Sequence, residues 1–381
     1  MEKARAIVDQ LTFPPVNRAT LPLELAVGKV CARDVVADRD VPPADLSAMD
    51  GYALRAEDAG RGLRVRGKVF PSGGDVSRLD RGEAAYVATG SALPEGADAV
   101  ARVEAAKLEG GELRVLEEVF RWKDVRRAGE DVRRGELVLG AGTRVRTTHL
   151  GLLTVLGVEE LEVYLPRIGV LSVGDELSPF YSPEAGKSRD ALGRALVATL
   201  SGIGEVRYLG VVGDSVGEIG EAVSRSVRSL DLLITVGGSS VGERDLVKAA
   251  VSSVGEVLFE GVTVNVIKRG GLGEVGGRPV LMLPGQAVAA FATLAEHGYR
   301  LLSRMLGARL QRTETVELGT DVTVNHKMDT LYVFAVDDGV ATPLRWGVGL
   351  YSVLAQADAY AVLRRGETYR RGERIVVRRL V

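Results

Sequence analysis

Asp231-Leu-Leu-Ile-Thr-Val-Gly-Gly-Ser-Ser-Val-Gly-Glu-Arg-Asp245 decides the fold of this chain. A short apolar run delivers the backbone to Gly237 and Gly238. Ser239, Ser240 and Gly242 then lead to a helix that begins near Asp245. A strand, a Gly-rich turn and a helix N-terminus form an anion site, because free N–H groups and the positive end of the helix dipole converge there. A second carboxylate-bearing loop, Ser172-Val-Gly-Asp-Glu-Leu177, follows the apolar run Ile168 to Leu171. Two such loops predict a doubly wound domain that holds a phosphorylated ligand. Acidic residues beside a phosphate imply a cation between them.

Outward from this stretch, strand and helix patterns alternate. Strands are expected at 168–173, 205–212, 232–236 and 280–283. Helices are expected at 190–202, 216–229, 246–254 and 286–306. That alternation argues for a parallel sheet covered by helices, with ligands at the carboxyl ends of the strands. On the N-terminal side, residues 1–12 read as a short amphipathic helix and residues 21–36 as a second. Short alternating strands with turns follow from Tyr52 to about Val119. Residues 149–156 read as a compact helix packed with the N-terminal helices. From Thr313 onward the pattern is all β, with strands at 313–318, 331–336, 359–363 and 374–380. The expected class is therefore α/β plus β, multidomain. An elongated helical linking part spans 1–44 with 128–165. A β-rich inserted domain spans 45–127, the α/β domain 166–308, and a small C-terminal β-barrel 309–381.

The 381 residues are 46% hydrophobic and 26% charged, as in ordinary globular proteins. A net charge of −2 offers no basic field for nucleic acid. The one cysteine, Cys31, permits no intrachain disulfide and reads as a small core residue, with the cytoplasm as the expected compartment. Three dispersed histidines argue against a His-based metal site. No apolar run approaches the ~20 residues that cross a bilayer.

Four further motifs carry carboxylates or hydroxyls on turns: Ser47-Ala-Met-Asp-Gly-Tyr-Ala53, Thr89-Gly-Ser-Ala-Leu-Pro-Glu-Gly-Ala-Asp98, Arg126-Arg-Ala-Gly-Glu-Asp131, and Leu283-Pro-Gly285. Singly, each fits a structural turn. In this order they resemble the molybdopterin molybdotransferase family, known as MoeA in bacteria and as the E domain of gephyrin in animals. The resemblance spans nearly the whole chain. It implies an elongated homodimer that ligates molybdate or tungstate to molybdopterin. It also implies hydrolysis of an adenylated molybdopterin, with Mg²⁺ assisting, in a cleft between the α/β domain of one subunit and the β-rich domain of the other. The implied partners are a molybdopterin-adenylating protein and apo-molybdoenzymes or tungstoenzymes.

The family's catalytic positions carry over onto Asp50, Thr89, Asp131, Glu176 and Asp245, and its metal positions onto Glu176, Asp214 and Asp245. Gly237, Gly238, Ser239 and Gly242 would cradle phosphate, and Asp190, Lys268, Pro284 and Gly285 would border the cofactor. Arg126 would meet an anionic group or, equally, form a solvated ion pair. Tyr52 would stack on the pterin or support the Asp50 turn.

The chain also departs from the family's pattern. Where the family carries Lys-x-x-x-Lys-Pro-Gly-Lys-Pro, this chain has Val264 for the first Lys, Lys268 for the second, Arg269 for the Pro and Gly271 for the third Lys. Asp-Ser-Asn becomes Asp190-Ala-Leu192, and Pro-Gly-Asn-Pro becomes Pro284-Gly-Gln-Ala287. An enzyme is the leading expectation, and a non-catalytic pterin carrier or scaffold is the alternative. A nucleotide-binding oxidoreductase has against it the lack of Gly-x-Gly-x-x-Gly after the first α/β strand.

Overall fold

The computed structural model describes residues 1–238, 245–345 and 347–380. The chain divides into two compact units. One contains residues 1–33, 141–148 and 160–381, and the other residues 34–140 and 149–159.

The first unit is built on a six-stranded sheet in the order Glu205–Val212, Arg167–Val173, Leu232–Gly237, Arg278–Leu283, Gly271–Val275, Glu256–Glu260. The first four strands are parallel, and the last two are antiparallel. The sequence reading foresaw only parallel strands. Gly276 and Gly277, both at positive φ, make the tight turn that folds Gly271–Val275 back on its successor.

Alternate residues of the central strands feed two cores. Ile168, Val170, Leu232, Ile234 and Val236 pack with Leu192, Leu196 and Leu200 on one face. Leu171, Val173 and Leu233 pack with Ile219, Val223, Val247 and Val251 on the other. Helix Ala191–Ser201 therefore covers one face, and helices Val216–Ser226 and Leu246–Val254 cover the other. Burial of both faces explains why these strands read as continuous apolar runs. From Arg167–Val173 the chain moves to one side for Glu205–Val212 and then crosses to the other for Leu232–Gly237. The switch point thus lies between the two strands that lead to the carboxylate and Gly-rich loops.

The expected helix over 286–306 is three segments: Ala287–Thr293, a π-helical turn Leu294–Gly298, and Tyr299–Leu306. The π turn buries Glu296 and His297. Glu296 pairs with Arg5 of the N-terminal helix Glu2–Gln10 and accepts a hydrogen bond from Tyr360 at 2.9 Å. It ties the N-terminal helix to the C-terminal barrel.

The barrel closes through five strands: Asp329–Asp337, Val340–Pro343, Thr313–Leu318, Arg374–Arg379 and Ala359–Leu363, the last pairing back to the first. Its interior holds Val316, Leu318, Phe334, Ala361, Ile375 and Val377. Residues 21–36 are not a helix. Strand Arg18–Pro22 runs into one helical turn, Leu23–Ala26, and then strands Val30–Cys31 and Val35–Val36. Gly28 at φ +86° ends the turn, and Val30–Cys31 pairs with the distant strand Glu160–Tyr164. Cys31 is buried, as expected.

The second unit centres on a sheet in the order Ala106–Glu109, Glu112–Val115, Leu63–Phe70, Glu83–Val87, Gly51–Leu54, Ala99–Arg102. Adjacent residues such as Ala53 and Leu54 feed opposite cores, so both faces are covered. Leu152 and Leu156, in and just after helix Thr147–Val155, pack with Ala37, Val41 and Val132. The helix therefore joins this unit rather than the N-terminal helix.

Burial pushes the His297 imidazole down to about 4, and neither ring nitrogen has a hydrogen-bond partner. Its folded value lies below the unfolded value of about 6.5, so stability is full above that pH and falls as pH drops toward 4. The cost at pH 5 is about 2 kcal/mol. His297→Phe should remove this loss from urea unfolding curves compared at pH 7 and pH 5. An unchanged pH dependence would contradict the assignment.

Candidate functional site

At the switch point the strand ends frame a cleft of roughly 580 Å³. Glu176 and Asp214 line it after their strands, with Gly237 and Gly238 at the end of the central one. Asp190, Leu192, Pro284, Gly285 and Gln286 complete the wall. The backbones meet closely here. A Cβ on Gly237, at φ +97°, would lie 2.3 Å from the Val173 carbonyl oxygen. Only glycine allows that approach, and it leaves main chain rather than side chain facing the cleft.

Asp190 is buried yet fully engaged. It accepts hydrogen bonds from Ser172, from the Tyr208 hydroxyl at 2.7 Å and from the Gly193 N–H at 2.8 Å. Its carboxylate thereby caps helix Ala191–Ser201 and fixes the cleft wall. Burial first, and then Asp190, hold the Tyr208 hydroxyl well above its ordinary value, so Tyr208 stays a donor. Asp175 and Asp214 lock the two loops together, the Asp214 N–H donating to Asp175 at 3.1 Å.

Asp245 is the N-cap of helix Leu246–Val254 and accepts from the Lys248 N–H at 3.1 Å. It is not among the residues lining the cleft. Among the described residues, no three of His, Cys, Asp and Glu come together as a metal site. The structure thus places Glu176 and Asp214 on one cleft but does not gather Asp245 with them as a metal-binding trio. Ser239 and Gly242 lie outside the described residues.

An adjoining hollow of roughly 630 Å³ shares Arg269, Pro284 and Gln286 with the cleft and adds Lys268, Asn265 and His326. Lys268 and Arg269 bring positive charge to the hollow, and Arg269 to both spaces. Val264 is 2% exposed and pairs with Asp329 at the edge of the barrel. Sequence reasoning missed Arg189 and Tyr351 in the cleft and His326 in the hollow. Tyr351 opens the short helix Tyr351–Leu354.

In the second unit, the pairing Gly51↔Val87 sets Asp50 opposite the start of the Thr89 loop. Thr89 donates to one Asp50 oxygen from its N–H at 2.7 Å and its hydroxyl at 2.9 Å. These two bonds hold the Asp50 carboxyl below its ordinary range. A Cβ on Gly51 would fall 2.2 Å from the Ala101 carbonyl oxygen, which accounts for glycine in the Asp50-Gly-Tyr string. Tyr52 packs edge-on against Tyr86 at 5.9 Å. Arg126 is exposed, with Glu130 at 3.9 Å, the solvated pair foreseen as one alternative. Asp131 is exposed beside the Val41–Val132 bridge. The Trp122 ring carries the guanidinium groups of Arg121 and Arg127 over it, at 4.9 and 4.8 Å from its centroid.

Known proteins resemble this chain in sequence and fold. Residues 1–157 match the MoeA N-terminal region (domain I and II), and residues 169–304 match the probable molybdopterin binding domain. A molybdopterin molybdenumtransferase of Haemophilus influenzae is 34% identical over 316 residues, covering 81% of this chain and 78% of the relative. The chain belongs to the MoeA family. Molybdopterin molybdenumtransferase 2 of Mycobacterium tuberculosis is 35% identical, with 72% of each chain covered. A solved molybdopterin biosynthesis MoeA protein of Pyrococcus horikoshii, 27% identical, superposes with a TM-score of 0.84 over 100% of this chain and 98% of that one. Family membership carries a role in molybdenum cofactor biosynthesis, and the doubly wound sheet supplies its molybdopterin-binding domain.

The Gly237 approach is testable. Gly237→Ala should cost on the order of 3 kcal/mol through backbone strain and the clash with Val173. The urea midpoint measures it, and a change under about 0.5 kcal/mol would contradict the close approach.

Proposed function

We propose that this MoeA-family chain inserts molybdate, or tungstate, into adenylated molybdopterin and releases AMP. The observation that carries the reading is the switch-point cleft, which Glu176 and Asp214 line together with the main chain of Gly237 and Gly238. Main-chain N–H groups beside a helix N-terminus suit a phosphate, and the two carboxylates suit a cation shared with it. Mg²⁺ takes one or two carboxylates together with substrate phosphates, so this pair fits it without a third protein ligand. When bound, Mg²⁺ would neutralise charge on the pyrophosphate oxygens.

In this reading, water breaks the phosphoanhydride, AMP leaves, and molybdopterin keeps its own phosphate. Glu176 and Asp214 hold the cation, and Asp190 keeps the wall in register. Lys268 and Arg269 draw the oxyanion toward the dithiolene end of the substrate. Asp50, positioned by Thr89, belongs to the catalytic set with Asp131. Asp245 acts by fixing the helix that follows the Gly-rich loop. We further propose a homodimer divided into the four parts expected from the sequence. A molybdopterin-adenylating protein would supply it, and apo-molybdoenzymes or tungstoenzymes would receive its product.

A second reading, a pterin carrier without turnover, is favoured by Val264, whose burial leaves no lysine at that position. One assay separates them. The purified protein is given adenylated molybdopterin, Mg²⁺ and either molybdate or tungstate, and AMP is measured. Oxyanion-dependent AMP release is expected, falling by on the order of 100-fold or more in Glu176→Gln and Asp214→Asn. Pterin binding without AMP release under either oxyanion would leave the carrier reading.

A further inference from the structure

A second cavity, of roughly 650 Å³, opens in the same compact unit and shares no residue with the cleft or its adjoining hollow. Three arginines line it, Arg144, Arg312 and Arg379, against one carboxylate, Glu314. Glu314 is engaged by Arg379 at 2.9 Å. Arg144 donates to the Gly28 carbonyl at 3.0 Å, and neither it nor Arg312 has a carboxylate partner among the described residues. Arg312 is tied to Arg379 through its main chain, its carbonyl accepting the Arg379 N–H at 3.0 Å. The floor is apolar: Ile203, Leu310 and Tyr299 are all largely buried.

An arginine cannot shed its proton at any working pH, so clustered guanidinium groups keep their mutual repulsion until an anion enters. Guanidinium forks match phosphate oxygens in pairs. The volume exceeds what bare phosphate fills and lies in the range of small-molecule sites. We propose that this cavity is a second ligand site that takes a small organic phosphate. Arg144 and Arg312 hold the phosphate, and the non-phosphate part lies on Ile203, Leu310 and the Tyr299 ring.

The place of the cavity separates it from the reaction. Thr199 and Ile203 sit at and just beyond the C-terminal end of helix Ala191–Ser201, whose first residues line the switch-point cleft. Eleven residues of helix span about 16 Å, so the two spaces lie at opposite ends of one rod. The helix end contributes roughly −0.5 charge to the cavity, which the two guanidinium groups without a carboxylate outweigh. A ligand here would bear on the helix whose other end Asp190 caps.

The test is calorimetric titration of the full chain at about 50 mM salt, where charge is little screened. Phenyl phosphate is the probe, with inorganic phosphate and citrate for comparison. Phenyl phosphate should bind more tightly than inorganic phosphate because of the apolar floor. Arg312→Glu, a change at an exposed position, should weaken it at least about tenfold. Glu176→Gln should leave it unchanged, which separates this site from the cleft. Three results would each overturn the proposal: no binding to the wild-type chain at up to about 10 mM, equal binding by Arg312→Glu, or citrate binding as tightly through Arg312.

Discussion

Three strand ends share one small space at the switch point, and the site depends on that crowding. The Val173 carbonyl occupies the place a Cβ of residue 237 would need, and a Cβ on Gly285, in the neighbouring loop, would lie 3.2 Å from the Gly237 Cα. With no side chains between them, the strands end in exposed main chain. The carboxylates of the flanking loops then stand around a polar gap instead of a packed interior. Asp190 holds this arrangement: three donors engage its carboxylate, and the helix it caps forms the wall.

Much of this was legible in the sequence, for physical reasons. Strands covered on both faces have to be apolar throughout, so Ile168 to Val173 and Leu232 to Val236 announced themselves. An Asp before an apolar run marks a helix start, which locates both Asp190 and Asp245. The failures share a cause. Leu23, Ala26 and Val30 have helical spacing, yet Val30–Cys31 is held by a strand some 130 residues away, which no local pattern records. Gly271–Val275 is too rich in glycine to read as a strand and is formed by its hairpin partner. The π turn that buries Glu296 and His297 left no pattern the sequence reading recognised.

The departures from the family's pattern have structural readings as well. Val264 is a core residue of the contact with the barrel edge, so the change from lysine exchanges a charge for packing. Leu192 is buried in the core below the cleft wall, and its backbone still borders the cap made by Asp190. Gln286 lines both the cleft and the hollow, where Lys268, at the family's second lysine, and Arg269 bring positive charge. Two carboxylates face the cleft, and the third, Asp245, is spent on a helix cap.

The central claim is that the switch-point cleft is where molybdopterin binds. Hydrogen–deuterium exchange of the full chain, with and without molybdopterin, tests it directly. The account predicts protection concentrated in residues 173–177, 188–192, 213–214, 236–238 and 284–286. Binding that leaves those segments unprotected while slowing exchange elsewhere would contradict it.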